Sequence, residues 1–117
     1  MTQTVTLSSD RTGEHTQVLT LDGRCDASTA AEAEQSILAA LGAGRTRIIF
    51  DLRGVISLAP SFLPILSRGV ILAKARNGEL ALVRPNAHVW ALFEEHGLNG
   101  IFPNFSDLRE AVAGDAS

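Results

Sequence analysis

Two short apolar runs, Arg47-Ile-Ile-Phe-Asp51 and Leu80-Ala-Leu-Val83, constrain this chain more than any other feature. Each is closed by polar residues and neither alternates, the pattern of strands buried on both faces, so they predict a parallel pair inside the protein. Two other segments, Thr4–Leu7 and Gln17–Leu21, set β-branched or apolar residues against polar ones. The polar turn formers from Ser8 to Gly13 separate them, which predicts an antiparallel hairpin. A further short strand is expected at Gly100-Ile-Phe102.

Helical patterns fill the intervals. Thr29 and Glu32 have capping-box spacing, and the helix they open is expected to bury Ala33, Ile37 and either Ala40 or Leu41 before Gly42 and Gly44 stop it. A second helix is expected from about Ser61 to Arg76, offering Phe62, Ile65, Leu66, Leu72 and Ala73 to the core and ending at Asn77-Gly78. A third covers His88–His96, with Val89, Leu92 and Phe93 at helical spacing and Gly97 as its C-cap. A last short helix begins near Ser106 and uses Leu108 and Val112. Strands alternating with helices in this way predict an α/β fold, one domain over residues 1–112 with a four- to five-stranded mixed sheet and helices packed on it. Residues 113–117 are expected to form a flexible tail.

Composition narrows the class. With 117 residues the chain can bury roughly two thirds of its unfolded surface and needs no disulfide or metal to hold a core. A net charge of −3 argues against a dedicated nucleic-acid binder, and the nine arginines are spread along the chain. The longest uncharged stretch, Gly54–Ser67, contains two prolines and is too short to span a bilayer, so no direct membrane insertion is expected. Met1–Asp10 has neither the positive charge nor the apolar run of a signal peptide, and a single cysteine, Cys25, fits a reducing cytoplasm.

Catalytic groups are not assembled in the sequence. His15, His88 and His96 are scattered, and the last two stand too far apart for an i, i+4 metal pair. Cys25 adjoins Asp26 rather than a base, and reads as a plain small residue. Gly42-Ala-Gly44-Arg45 follows a helix and precedes a strand, the reverse of the order that aims N–H groups at phosphate. Asp51 has two readings of equal weight: a site residue at a strand end, or an acceptor of N–H bonds from the following turn. No enzyme activity, cofactor or metal is implied.

Two stretches together carry a resemblance. Leu21-Asp-Gly-Arg-Cys-Asp26-Ala-Ser-Thr-Ala30 resembles the L-x-G-x-x-D-x-x-T-A signature that opens the first helix of STAS domains, the family of bacterial anti-sigma-factor antagonists. Ile48-Ile-Phe-Asp51-Leu-Arg-Gly-Val55 resembles that family's third strand and the hydrophobic turn after it. The likeness continues in step through Asn77–Val83, Val89–Leu92, His96-Gly97-Leu98, Ile101-Phe102 and Ser106–Val112.

The departure falls on the functional site the resemblance implies. Antagonists of this family typically carry Asp-Ser-Ser-Gly-Leu before the second helix, and the partner anti-sigma factor, a kinase, phosphorylates the first serine. The matching residues here are Ala59-Pro60-Ser61-Phe62-Leu63, so the phosphoacceptor position holds a proline with no hydroxyl. Ser61 is expected to act as N-cap, bonding the N–H of Leu63, with Pro64 as the third helical residue. Phosphorylation of Ser61, or less so of Ser57, is the alternative. Phe62 is expected to turn inward, and pointing outward it would anchor a partner. Trp90 is expected to cover the rim of the core, with an exposed contact surface as the alternative.

The resemblance therefore implies a non-catalytic, cytoplasmic protein-interaction module lacking the phosphoserine switch. Its partner would be an anti-sigma factor or kinase-like regulator, held through Asp26, Ser57, Ala59, Pro60, Ser61 and Phe62. Two alternatives remain: a soluble accessory subunit of a lipid-transporter ATPase complex, and a small-molecule sensor with a pocket of residues such as Phe62, Leu66 and Trp90.

Overall fold

A computed structural model describes residues 8–11 and 15–113. In chain order the elements are β1 (Ser8–Arg11), β2 (Thr16–Cys25), α1 (Ala27–Gly42), β3 (Arg47–Leu58), α2 (Phe62–Lys74), β4 (Glu79–Val83), α3 (Ala87–Glu95), β5 (Asn104–Phe105) and α4 (Leu108–Ala113). The strands form one sheet in the order β1-β2-β3-β4-β5. β1 is antiparallel to β2, and every other pairing is parallel.

The predicted parallel pair is present in full register, from Arg47 beside Glu79 to Asp51 beside Val83. Alternate residues of these strands serve different layers, which is why the runs are apolar throughout. Ile48, Phe50, Leu80 and Leu82 join Ala33 and Ile37 of α1, Leu66 and Val70 of α2, and Val89 and Phe93 of α3 in the main core. Ile49, Ala81 and Val83 face the other way and pack, with Val18, on Ala111 of α4. Buried Arg47 pins that short helix. Its Nε lies 2.7 Å from Glu79 Oε2, its Nη1 donates to the Ala111 carbonyl, and its guanidinium sits 5.9 Å from the Phe105 ring centre.

Several expectations are corrected. The strand that pairs with β2 is Ser8–Arg11, with Ser8 opposite Thr20, so residues assigned to the turn are strand. Thr4–Leu7 and the last residues, 114–117, lie outside the described residues. α1 starts earlier than the Thr29–Glu32 box requires, because Asp26 is its N-cap and accepts from the Thr29 N–H at 3.1 Å. The helix then buries both Ala40 and Leu41. β3 does not end at Asp51: the expected turn up to Val55 is strand, and β3 continues beside β2 to Leu58. The last strand is Asn104–Phe105 instead of Gly100–Phe102.

α2 ends at Lys74, short of the expected Arg76, and a turn over residues 75–77 leads to Gly78. A Cβ on Gly78 would lie 1.9 Å from the Thr46 carbonyl oxygen, so only glycine lets the chain pass this close as it enters β4.

Candidate docking site

The long strands β2 and β3 outrun β4 and carry the site at their C-terminal ends. Their pairing slips between Thr20 and Asp22 and again between Gly23 and Arg24, and Gly23 takes the positive φ of 77° needed there. Beyond the slips Arg24 pairs with Ser57 and Cys25 with Leu58, and the Ala59 N–H donates to the Cys25 carbonyl at 2.8 Å. The two strand ends thus leave the sheet together, one into α1 through Asp26 and the other into α2 through Ala59 and Pro60.

Between them lies an open cavity of about 230 Å³ lined by Arg24, Cys25, Asp26, Ser57, Leu58 and Ala59. The structure therefore brings Asp26, Ser57 and Ala59 together, with exposed Pro60 and Ser61 following directly in the chain. Leu58 also lines a second cleft, about 120 Å³, against His88, Val89, Ala91, Leu92 and Glu95 of α3.

Two expectations at the start of α2 need separate treatment. Ser61 is not a side-chain cap. Its backbone is already helical (φ −64°, ψ −14°) and its hydroxyl makes no capping bond, because the Leu63 N–H is taken by the Pro60 carbonyl at 3.0 Å. Phe62 has no exposed surface and belongs to the main core. That bears out its inward placement and removes its side chain from the partner-binding set.

The Asp26 carboxylate accepts from the Thr29 N–H, the Thr29 hydroxyl and the Ser28 hydroxyl at 3.1, 3.1 and 2.9 Å. These bonds, the backbone one first, hold its pKa below the ordinary value. It stays a carboxylate at the rim of the cavity.

Cys25 is buried, its sulfur 3.7 Å from the Asp22 carbonyl oxygen and 3.8 Å from that of Gly23. Burial first, and then the charges of Asp22 and Asp26, push the thiol up to about 11 from 9.0. Because the thiolate is the nucleophile, Cys25 should react with an aromatic disulfide reagent at pH 8 about a hundredfold more slowly than in the unfolded chain. The sign for stability follows from the raised folded-state pKa. The contribution is complete below pH 9.0 and is lost as the pH rises towards about 11, and Cys25→Ala should remove that component of alkaline unfolding.

Asp51 has a structural partner. Burial opposes its ionisation, but the Arg53 side chain (2.8 and 2.7 Å), the Arg53 N–H (3.2 Å) and the guanidinium charge outweigh this and lower its pKa. The bonds come from the residue two along the same strand, not from a turn. Trp90 is half-buried against the core, with its ring 6.0 Å edge-on from Phe93, which bears out its rim placement.

Sequence reasoning missed Arg24 and Asn86. Arg24 sits inside the signature Leu21–Ala30 and would follow from placing the strand end at Cys25. Asn86 stands three residues before Val89, the spacing of an N-cap, and its Oδ1 accepts from the Val89 N–H at 2.8 Å. Among the described residues no group of three or more His, Cys, Asp or Glu is arranged to hold a metal ion. No helix among them is long and apolar enough to cross a membrane.

Comparison with known proteins gives a consistent result. A family model described as Mlab, STAS domain, matches residues 8–110. No curated protein matches the chain by sequence. Among solved structures, the unphosphorylated form of the anti-sigma factor antagonist SpoIIAA is 20% identical with a TM-score of 0.86, over 95% of this chain and 96% of that one. An anti-sigma factor antagonist from Mycobacterium paratuberculosis is 22% identical with a TM-score of 0.82, over 97% and 96% of the two chains. An anti-sigma-factor antagonist (STAS) domain protein from Planctomyces limnophilus is 20% identical with a TM-score of 0.79, over 97% and 98%. At these identities the likeness is one of fold.

Proposed function

The chain belongs to the STAS domain family, and from that premise we propose that it is a non-catalytic docking module that binds a regulatory protein without a phosphoserine switch. Its docking face is the ground around the β2 and β3 ends: Asp26, Ser57, Ala59, Pro60 and Ser61. The partner is an anti-sigma factor or kinase-like regulator in the cytoplasm.

The observation that carries this reading is the start of α2. A helix N-terminus holds a phosphate through its unused N–H groups. Here Pro60 and Pro64 have none, and the N–H groups of Phe62 and Leu63 are given to the carbonyls of Ala59 and Pro60, each at 3.0 Å. SpoIIAA has been solved in unphosphorylated and phosphorylated forms. In this chain the position matched to the family's acceptor has no hydroxyl, and the turn around it offers few donors to a phosphate. What remains is an exposed surface beside a small apolar cavity, suited to contact with another protein.

Incubating the chain with its captured partner and ATP tests the switchless part. No phosphate should enter the protein, and stoichiometric phosphate on Ser57 or Ser61 would overturn it. One observation favours a second reading, an accessory subunit of a lipid-transporter ATPase: the matched family model carries the name Mlab beside that of the STAS domain. Co-purification of an ATPase with a permease selects that reading over a regulator of transcription.

A further inference from the structure

The last pairing between β3 and β4 is Asp51 with Val83, so residues 52–58 of β3 have no β4 partner on that side. This overhang carries Ser57 and Leu58 into the docking cavity. An unpaired strand edge has carbonyls that need donors. The side chain of Asn86 supplies them: its Nδ2 donates to the Val55 carbonyl at 3.0 Å and to the Ile56 carbonyl at 3.3 Å. The other end of the same amide caps α3, accepting the Val89 N–H at 2.8 Å. One side chain thus stands in for the missing strand and ties the overhang to the first turn of α3. Leu58 lines one cleft together with His88 and Leu92 of α3, so the tie and the cleft lie between the same two elements.

We propose that Asn86 is a positioning residue of the docking site, holding the β3 overhang against α3 so that Ser57, Leu58 and Ala59 present a fixed surface to the partner. The inference rests on the docking reading above. Only an amide meets both demands, because the position must donate to two carbonyls and accept from one N–H. Aspartate keeps the acceptor and is a good helix cap, but it sets a second acceptor against the carbonyls of Val55 and Ile56.

Asn86→Asp separates the two roles, with Asn86→Ser as a second variant that keeps a short cap and loses the reach. Asp107→Ala serves as the control, since it removes a cap bond to the Glu110 N–H elsewhere in the fold. Backbone amide exchange of the uncomplexed protein, followed by NMR, is the first readout. In both Asn86 variants exchange at Ser57, Leu58 and Ala59 should rise about fivefold or more, with α3 amides unchanged in Asn86→Asp, and the control should leave the overhang amides as they are. The second readout is affinity for the protein that the wild-type chain captures from its host, which should fall about tenfold in Asn86→Asp. Unchanged exchange in the overhang would overturn the inference. Faster exchange with unchanged affinity would instead overturn the docking reading on which it rests.

Discussion

Replacing Phe62 by alanine is expected to remove about 3–5 kcal/mol of stability, the usual cost of emptying a fully buried phenylalanine site. Phe62 has no solvent exposure and packs in the core shared by α1, α2, α3 and the sheet. The lost side chain takes its transfer free energy with it and leaves a cavity that surrounding residues fill only in part. A domain of this size has roughly 5–15 kcal/mol in total, so the loss is a large fraction of the whole. The thermal midpoint should fall on the order of 10–20 °C. Urea unfolding of the two proteins measures this directly. A variant of wild-type stability would mean that the ring points outward and belongs to the docking face.

The second large effect is on binding. Pro60→Arg should weaken the regulatory partner's affinity by about a hundredfold or more, the scale of a central interface residue, while the thermal midpoint moves by no more than about 2 °C. Pro60 is exposed, has no N–H to lose and accepts the Leu63 N–H through its carbonyl, so arginine can take its place without disturbing the core. A long charged side chain there occupies the ground on which a partner must sit. Ile71→Arg is the matched control, because Ile71 is 67% exposed further along the same helix. If Ile71→Arg abolishes binding and Pro60→Arg does not, the docking face lies along the body of α2 instead of at its start.

The parts of the fold that were legible in the sequence are those set by continuous burial. Ile48, Ile49, Phe50 and Leu80 to Val83 are apolar because both faces of their strands are covered, and that pattern survives without knowledge of neighbours. The far end of β3 was not legible. Register slips against β2 interrupt its alternation, with Arg53 and Gly54 both exposed before buried Val55, and the stretch after Asp51 reads as a turn. β1 was missed for a related reason: an edge strand of Ser-Ser-Asp-Arg has the composition of a turn, and only its pairing with β2 makes it a strand.

At the candidate site, residue types were legible and side-chain roles were not. Arg24, Cys25 and Asp26 of the signature Leu21–Ala30 line the same cavity as Ala59, the residue just before the Pro60 replacement. The capping assignments failed because a cap depends on backbone conformation just outside the helix. Asp26 is extended (φ −95°, ψ −171°) and can reach back to Thr29, whereas Ser61 is already helical and cannot cap in the same way. The turn that makes Ser61 helical is closed by Ala59 and Pro60 carbonyls, whose position follows from the bond between the Ala59 N–H and Cys25. That contact joins residues far apart in the chain, and spacing alone does not reveal it.

The central claim is that a protein docks where β2 and β3 leave the sheet. Hydrogen–deuterium exchange of the chain, alone and in complex with the partner captured from its host, tests it most directly. Exchange should slow at Arg24–Asp26 and Ser57–Ser61 on binding, with α4 and the Arg47–Phe105 contact unaffected. Slowed exchange confined to α4, or to the exposed face of α2 around Ile71, with no change at Arg24–Asp26 or Ser57–Ser61, would contradict it.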